Sequence, residues 1–160
     1  MLSSMVDDPK AVTPAQMDRQ IKDFDNWGIC DCVCFSLYDK NPHAWRMIER
    51  WSTRKGEFEK RAAFAVLAGI AVHDKEAPDA PFIASFKLIR RAASDDRNYV
   101  KKGVSWALRQ IGKRNKKLHR AAMRVARKLT VSDDRAARWI GKDAIKDLSS
   151  TSTAKRLAAR

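Results

Sequence analysis

Helix-start signals recur along this chain every fifteen to twenty-five residues, and nothing between them reads as strand. TPAQ at 13–16 offers Thr13 as a cap, Pro14 at the first helical position and Gln16 three residues on, a capping-box start. Asn26 opens a second segment, and Asn41-Pro42 repeats the cap-then-proline signal. SDDR before residue 98 and SDD at 132–134 supply further caps, and EAPDAP at 76–81 is a clear break. No segment alternates apolar and polar residues between hairpin turns. These signals predict eight helices: 14–24, 26–39, 42–53, 57–75, a fifth ending near 93, 97–114, 116–130 and 135–148. The fold class is all-α. Short turns between short helices give antiparallel pairs, and pairs of this length stack as a HEAT-like or armadillo-type curved solenoid. Residues 13–148 form that domain. Residues 1–12 and 149–160 are expected to be flexible ends.

Charge divides the chain. Residues 1–96 hold 14 Lys and Arg against 15 Asp and Glu, whereas residues 97–160 hold 19 against 4. The whole net charge of +14 therefore lies in the C-terminal part. A basic half on a chain of this kind points to a polyanionic partner, most often nucleic acid. No apolar run reaches membrane-spanning length. MLSSMVDD lacks a signal-peptide pattern, so a cytoplasmic or nuclear location is expected. A monomer is favoured.

The three cysteines in NWGICDCVC, Cys30, Cys32 and Cys34, suggest metal at first sight. Four converging ligands are needed for structural zinc. There is no second Cys pair, and His43, His73 and His119 are scattered, so neither metal nor another cofactor is expected. The cysteines read as small buried hydrophobes. At about 100° per residue, Ile29, Val33 and Leu37 make the core stripe of that helix. Trp27, Asp31, Cys34 and Tyr38 share the other face.

The segment NYVKKGVSWALRQIGKRN is a second signal. Val100, Val104, Ala107, Leu108 and Ile111 make its core stripe. Trp106 lies on the far side with Tyr99, Lys102, Arg109 and Lys113. An indole among cations suits stacking on a nucleotide while the cations hold phosphates; the alternative is that Trp106 packs under a neighbouring helix, since interior helices of a solenoid bury more than one face. Arg114, Lys116, Lys117, Arg120 and Arg124 continue the basic run, with Lys128 a further turn on, as candidate phosphate contacts. Arg61 starts the most apolar helix, on a small-residue stripe of Ala65 and Ala68. Lys60 reads as a solvated charge, and Trp45, Trp51 and Trp139 as packing.

Together, Trp27-x-x-x-Asp31, FEKRAAFAVLAG and YVKKGVSWALRQIGKRN resemble the DNA alkylation repair family of HEAT-like glycosylases, the AlkD-type enzymes. The resemblance spans about residues 20–148. Its most specific part is Lys102-x-x-x-Trp106-Ala107-Leu108-Arg109, with Tyr99-Val100 before it. It implies an all-helical solenoid that holds double-stranded DNA in a basic groove. It also implies excision of cationic N3- or N7-alkylated purines without metal or nucleotide cofactor. By position, Trp27 and Trp106 match the tryptophans that contact the lesion's sugar and backbone. Asp31 matches the catalytic carboxylate, and Arg61 the arginine beside it. Family members carry several more helices before the Trp-x-x-x-Asp segment than this chain does. Two other readings stand beside it: a non-catalytic nucleic-acid-binding module and, against the charge, a protein-interaction scaffold.

Overall fold

The computed structural model describes residues 7–159. Nine α-helices and two short 3₁₀ turns make up their regular structure, with no strand among them. The helices are α1 (Pro14–Gln20), α2 (Trp27–Ser36), α3 (Ala44–Trp51), α4 (Glu57–His73), α5 (Asp79–Ala92), α6 (Asn98–Gly112), α7 (Lys116–Thr130), α8 (Arg135–Leu148) and α9 (Thr151–Ala158).

The sequence signals place most of these ends. Thr13 and Gln16 form the expected capping box. Asn26, Asn115 and Asp134 cap α2, α7 and α8 through their side chains. Three ends differ from expectation. α1 tightens into a 3₁₀ turn at Ile21–Asp23, and α2 stops at Ser36 before another at Tyr38–Lys40. α3 starts at Ala44: the Asn41 oxygen accepts from the His43 amide at 2.8 Å in a turn ahead of the helix. The Asn41 side-chain amide reaches back along the chain and donates to the carbonyls of Pro9 and Val12 at 2.7 and 2.8 Å. Those bonds tie residues 9–12, expected to be flexible, onto the domain; residues 1–6 lie outside the described part. At the other end, the expected loose tail is a helix. Ser150 caps α9, and Thr153 and Leu157 are buried.

The helices form two rows. α2, α4, α6 and α8 pack side by side as a front row, each on the next. α3, α5 and α7 stand behind α4, α6 and α8, their antiparallel partners, and α5 also touches α7. α4 sits in the middle, and residues 61–71 are all buried. This explains why it is apolar all round. Close approach between rows needs glycine in one place above all. A Cβ on Gly141 of α8 would lie 2.6 Å from the Ala126 carbonyl oxygen of α7.

Candidate active site

α2 brings the first two candidates forward. Asn26 accepts from the Ile29 amide at 3.0 Å and fixes the start of the helix. Trp27 follows at the first helical position, 54% exposed. Asp31 stands one turn on. Behind it, Cys30 and Cys34 are fully buried, and their thiols point to the carbonyls of Phe58 and Ala62 on α4. Burial pushes the Cys34 thiol well above its ordinary value. Both act as small core residues that let α2 lie close on α4. Cys32 is only half-buried.

This packing sets Asp31 against Arg61. The Arg61 guanidinium donates to both Asp31 oxygens, Nε to Oδ1 at 2.9 Å and Nη2 to Oδ2 at 2.7 Å. Its remaining nitrogen donates to the Tyr99 carbonyl at 2.7 Å. One planar side chain thus links α2, α4 and α6. Its stem runs beside Gly103, where an added Cβ would be 3.5 Å away. Arg61 is buried, whereas the Asp31 side chain keeps 20% of its surface exposed.

Trp106 on α6 is half-buried and stacks on Phe35 of α2, with ring centroids 5.2 Å apart and planes 18° from parallel. Phe35 meets His73 edge-on at 4.5 Å, and His73 hydrogen-bonds the buried Asp39 carboxylate. Two adjoining clefts open on this part of the front row. One, of about 450 Å³, is lined by Asp31, Arg61, Lys102, Trp106, Arg109, Trp139 and Asp143. The other, of about 370 Å³, is lined by Trp27, Asp31, Arg61, Asn98, Tyr99 and Lys102. Asp31, Arg61 and Lys102 are common to both, so the acid sits between the two indoles.

α8 supplies residues that the sequence does not advertise. Trp139, expected to be packing, is 37% exposed in the larger cleft, with the Lys101 ammonium 4.8 Å from its ring centroid. Asp143 accepts from Ser105 and lies 3.5 Å from Arg109. Asp147 pairs with Arg109 at 3.3 Å and with Lys113 at 2.6 Å. Burial raises the Asp147 carboxyl, but the Lys113 hydrogen bond and the Lys113 and Arg109 charges outweigh it and hold it below its usual value.

Several other expectations change. Arg114 is not a phosphate contact. It is buried, donates to the carbonyls of Ala71, Asp74 and Ala77, and lies 4.3 Å over the Phe82 ring. Lys113 and Arg109 already hold carboxylates. Tyr38 leaves the Trp27 face altogether: α2 ends before it, and it is fully buried, donating to Gln20. Lys60 is paired with Asp95 at 2.8 Å. Lys116, Lys117, Arg120 and Arg124 are exposed on α7 and line neither cleft. Trp51 and Trp45 pack as expected, against Tyr38 and Phe82. Among the described residues no three His, Cys, Asp or Glu side chains gather as metal ligands, and no helix is long and apolar enough to cross a membrane.

Fold and cleft together define an all-helical protein whose front row carries the Asp31 carboxylate, held at both oxygens by an arginine, between tryptophan-bearing walls. The chain belongs to the DNA alkylation repair enzyme family, whose model matches residues 2–148. No curated protein and no solved structure matches it.

Proposed function

We propose that this chain is a DNA glycosylase that hydrolyses the N-glycosidic bond of cationic N3- or N7-alkylated purines in duplex DNA. Membership of the DNA alkylation repair enzyme family supports a role in DNA repair. The observation that carries the finer reading is the Asp31 carboxylate, gripped at both oxygens by Arg61 yet open to two clefts.

The chemistry follows from the substrate's charge. An alkylated purine cation departs as a neutral base, so no general acid is required. The difficulty lies in the sugar, which gains oxocarbenium character as the bond stretches. Asp31 stabilises that charge and orients the attacking water. Arg61 holds the carboxylate in one orientation, leaving its remaining lone pairs for sugar or water. Trp27 and Trp106 offer indole faces to the sugar and backbone, worth roughly 0.5–2 kcal/mol each toward a developing cation. Lys102, exposed between the clefts, meets a flanking phosphate. Tyr99 helps shape the smaller cleft. No metal or nucleotide takes part in this scheme.

The test is release of 7-methylguanine or 3-methyladenine from methylated duplex DNA. The chain releases base. Asp31→Asn lowers the rate by about 10²–10³-fold, the range for losing one preorganised electrostatic group, and Trp106→Ala lowers it as well. Binding without release by the unaltered chain would sink the enzymatic reading and leave a DNA-binding module.

A further inference from the structure

The cations of this protein fall into two populations. In the front row Lys102, Arg135, Lys142 and Lys146 are exposed with no acid in range among the described residues, but the arginines of the larger cleft and Lys113 are engaged with acids: Arg61 with Asp31, Arg109 with Asp143 and Asp147, and Lys113 with Asp147. Those of α7 are not. Lys116, Lys117, Arg120, Arg124, Arg127 and Lys128 occupy this one helix with no acidic residue on it. All six are exposed. Only Lys117 has a carboxylate in range, Asp79 at 3.8 Å.

Their arrangement is regular. Lys116, Arg120, Arg124 and Lys128 follow each other at four-residue steps, about 6 Å apart along the axis. Like charges at this spacing destabilise a helix. The apolar side of α7, Leu118, Ala121, Ala122, Val125, Ala126 and Leu129, is buried against its neighbours. α6 and α8 face the larger cleft with Trp106, Arg109, Trp139 and Asp143 and pack on α7 with other faces. They therefore stand between the cleft and the ladder as one helix layer, about 8–10 Å thick.

From this placement we infer that the exposed face of α7 is a second DNA-binding surface, distinct from the cleft, which holds a separate duplex segment by its phosphates. A row of unpaired cations at 6 Å intervals suits a sugar–phosphate strand, and it reads no sequence. An anionic membrane is a poorer occupant, because the apolar face of α7 is already buried and none remains to enter lipid. Holding one segment behind and another in front would keep the protein on DNA while the cleft samples successive sites.

The test is a bridging assay with the full chain. A bead-bound 12-base-pair duplex is offered a second, labelled duplex of unrelated sequence. The chain captures the labelled duplex, and titration saturates at two duplexes per chain. Arg120→Gln/Arg124→Gln/Lys128→Gln, checked for unchanged helicity, lowers capture by tenfold or more and saturates at one. Its overall binding also loses about 2 to 3 from the slope of log K against log salt. Saturation of the unaltered chain at one duplex would overturn the inference, whether the triple variant then binds more weakly or not. So would tighter binding to phosphatidylserine vesicles than to duplex at the same salt. The outcome does not depend on base release, so it stands or falls apart from the glycosylase reading.

Discussion

Replacing Arg61 by lysine separates charge from geometry at the centre of the site. The guanidinium makes three hydrogen bonds, two to Asp31 and one to the Tyr99 carbonyl. An ammonium on a lysine stem keeps the charge and one good contact but not the planar fork. Two bonds to a charged donor are lost, at about 1.5–3 kcal/mol each if their partners stay dry. Asp31 is partly open to solvent, so water replaces one of them at little cost. The Tyr99 carbonyl, in the first turn of α6, loses its contact with the guanidinium. The net destabilisation is about 2 kcal/mol, read as a lower urea midpoint with an unchanged slope. The effect on base release is larger. Freed from its two-point hold, Asp31 shifts by up to an ångström, and such a shift costs on the order of 10²-fold in rate. A double-mutant cycle with Asp31→Asn then gives a coupling of at least about 1 kcal/mol in stability. If Arg61→Lys unfolds at the same urea concentration and releases base at the original rate, the guanidinium fork is not what positions the acid.

Three further outcomes follow from the packing and the ion pairs. Gly141→Ala forces α7 and α8 apart, since its Cβ would meet the Ala126 oxygen at 2.6 Å and the Thr130 nitrogen at 2.7 Å. Despite alanine's better helix propensity, about 1 kcal/mol, chemical denaturation should show a net loss of roughly 2 kcal/mol. The Asp95 carboxyl is held far below its ordinary 3.8, first by the Arg97 hydrogen bond and then by Lys60, which together outweigh the opposing effect of burial. A folded value below the unfolded one means stabilisation that is complete above about pH 4 and fades as acid is added below it. Thermal melts from pH 6 to pH 2 should show this loss, and Asp95→Asn should flatten it. Finally, a thiol reagent should find one fast cysteine in the native chain and three after denaturation. Cys30 and Cys34 are fully buried and Cys32 is not, so Cys32→Ser should remove the fast phase.

The sequence shows where its helices begin more clearly than which way they face. Caps such as Thr13, Asn26 and Asp134 are local chemistry and read directly. Facing is harder on α2, whose residues WGICDCVCFS are apolar nearly all round, so the wheel offers no single stripe. Its core is centred on Cys30 and Cys34 rather than on Ile29, which is only half-buried. Trp106 was legible because its helix has a sharp apolar stripe and the indole lies off it. Trp139 was not, because what exposes it is the place of α8 in the front row. Arg114 and Lys116 are neighbours in one basic run, yet one is buried and the other exposed. Only the carbonyls at the end of α4 and the start of the following loop tell them apart. α9 fails as a sequence prediction for another reason. Eight polar-rich residues are too few for a helix to persist alone, and burial of Thr153 and Leu157 decides the matter.

Charge explains how one small chain can divide recognition from chemistry. Asp31 and Asp143 in the larger cleft face Arg61, Lys102 and Arg109, so the cleft is close to neutral. A strongly positive cleft would hold phosphates well but would oppose the oxocarbenium charge that forms during bond breaking. A strongly negative one would favour that charge and repel the backbone on either side. Pairing Arg61 and Arg109, the arginines of the cleft, with acids avoids both penalties and fixes the acids in place. On the proposed reading, much of the attraction to DNA comes from α7, which carries six exposed cations with one carboxylate in range. On this division, reversing Lys102 to glutamate should impair base release more than overall affinity. Neutralising the ladder should do the opposite at raised salt. Matching losses in both properties from both changes would mean that a single surface does both tasks.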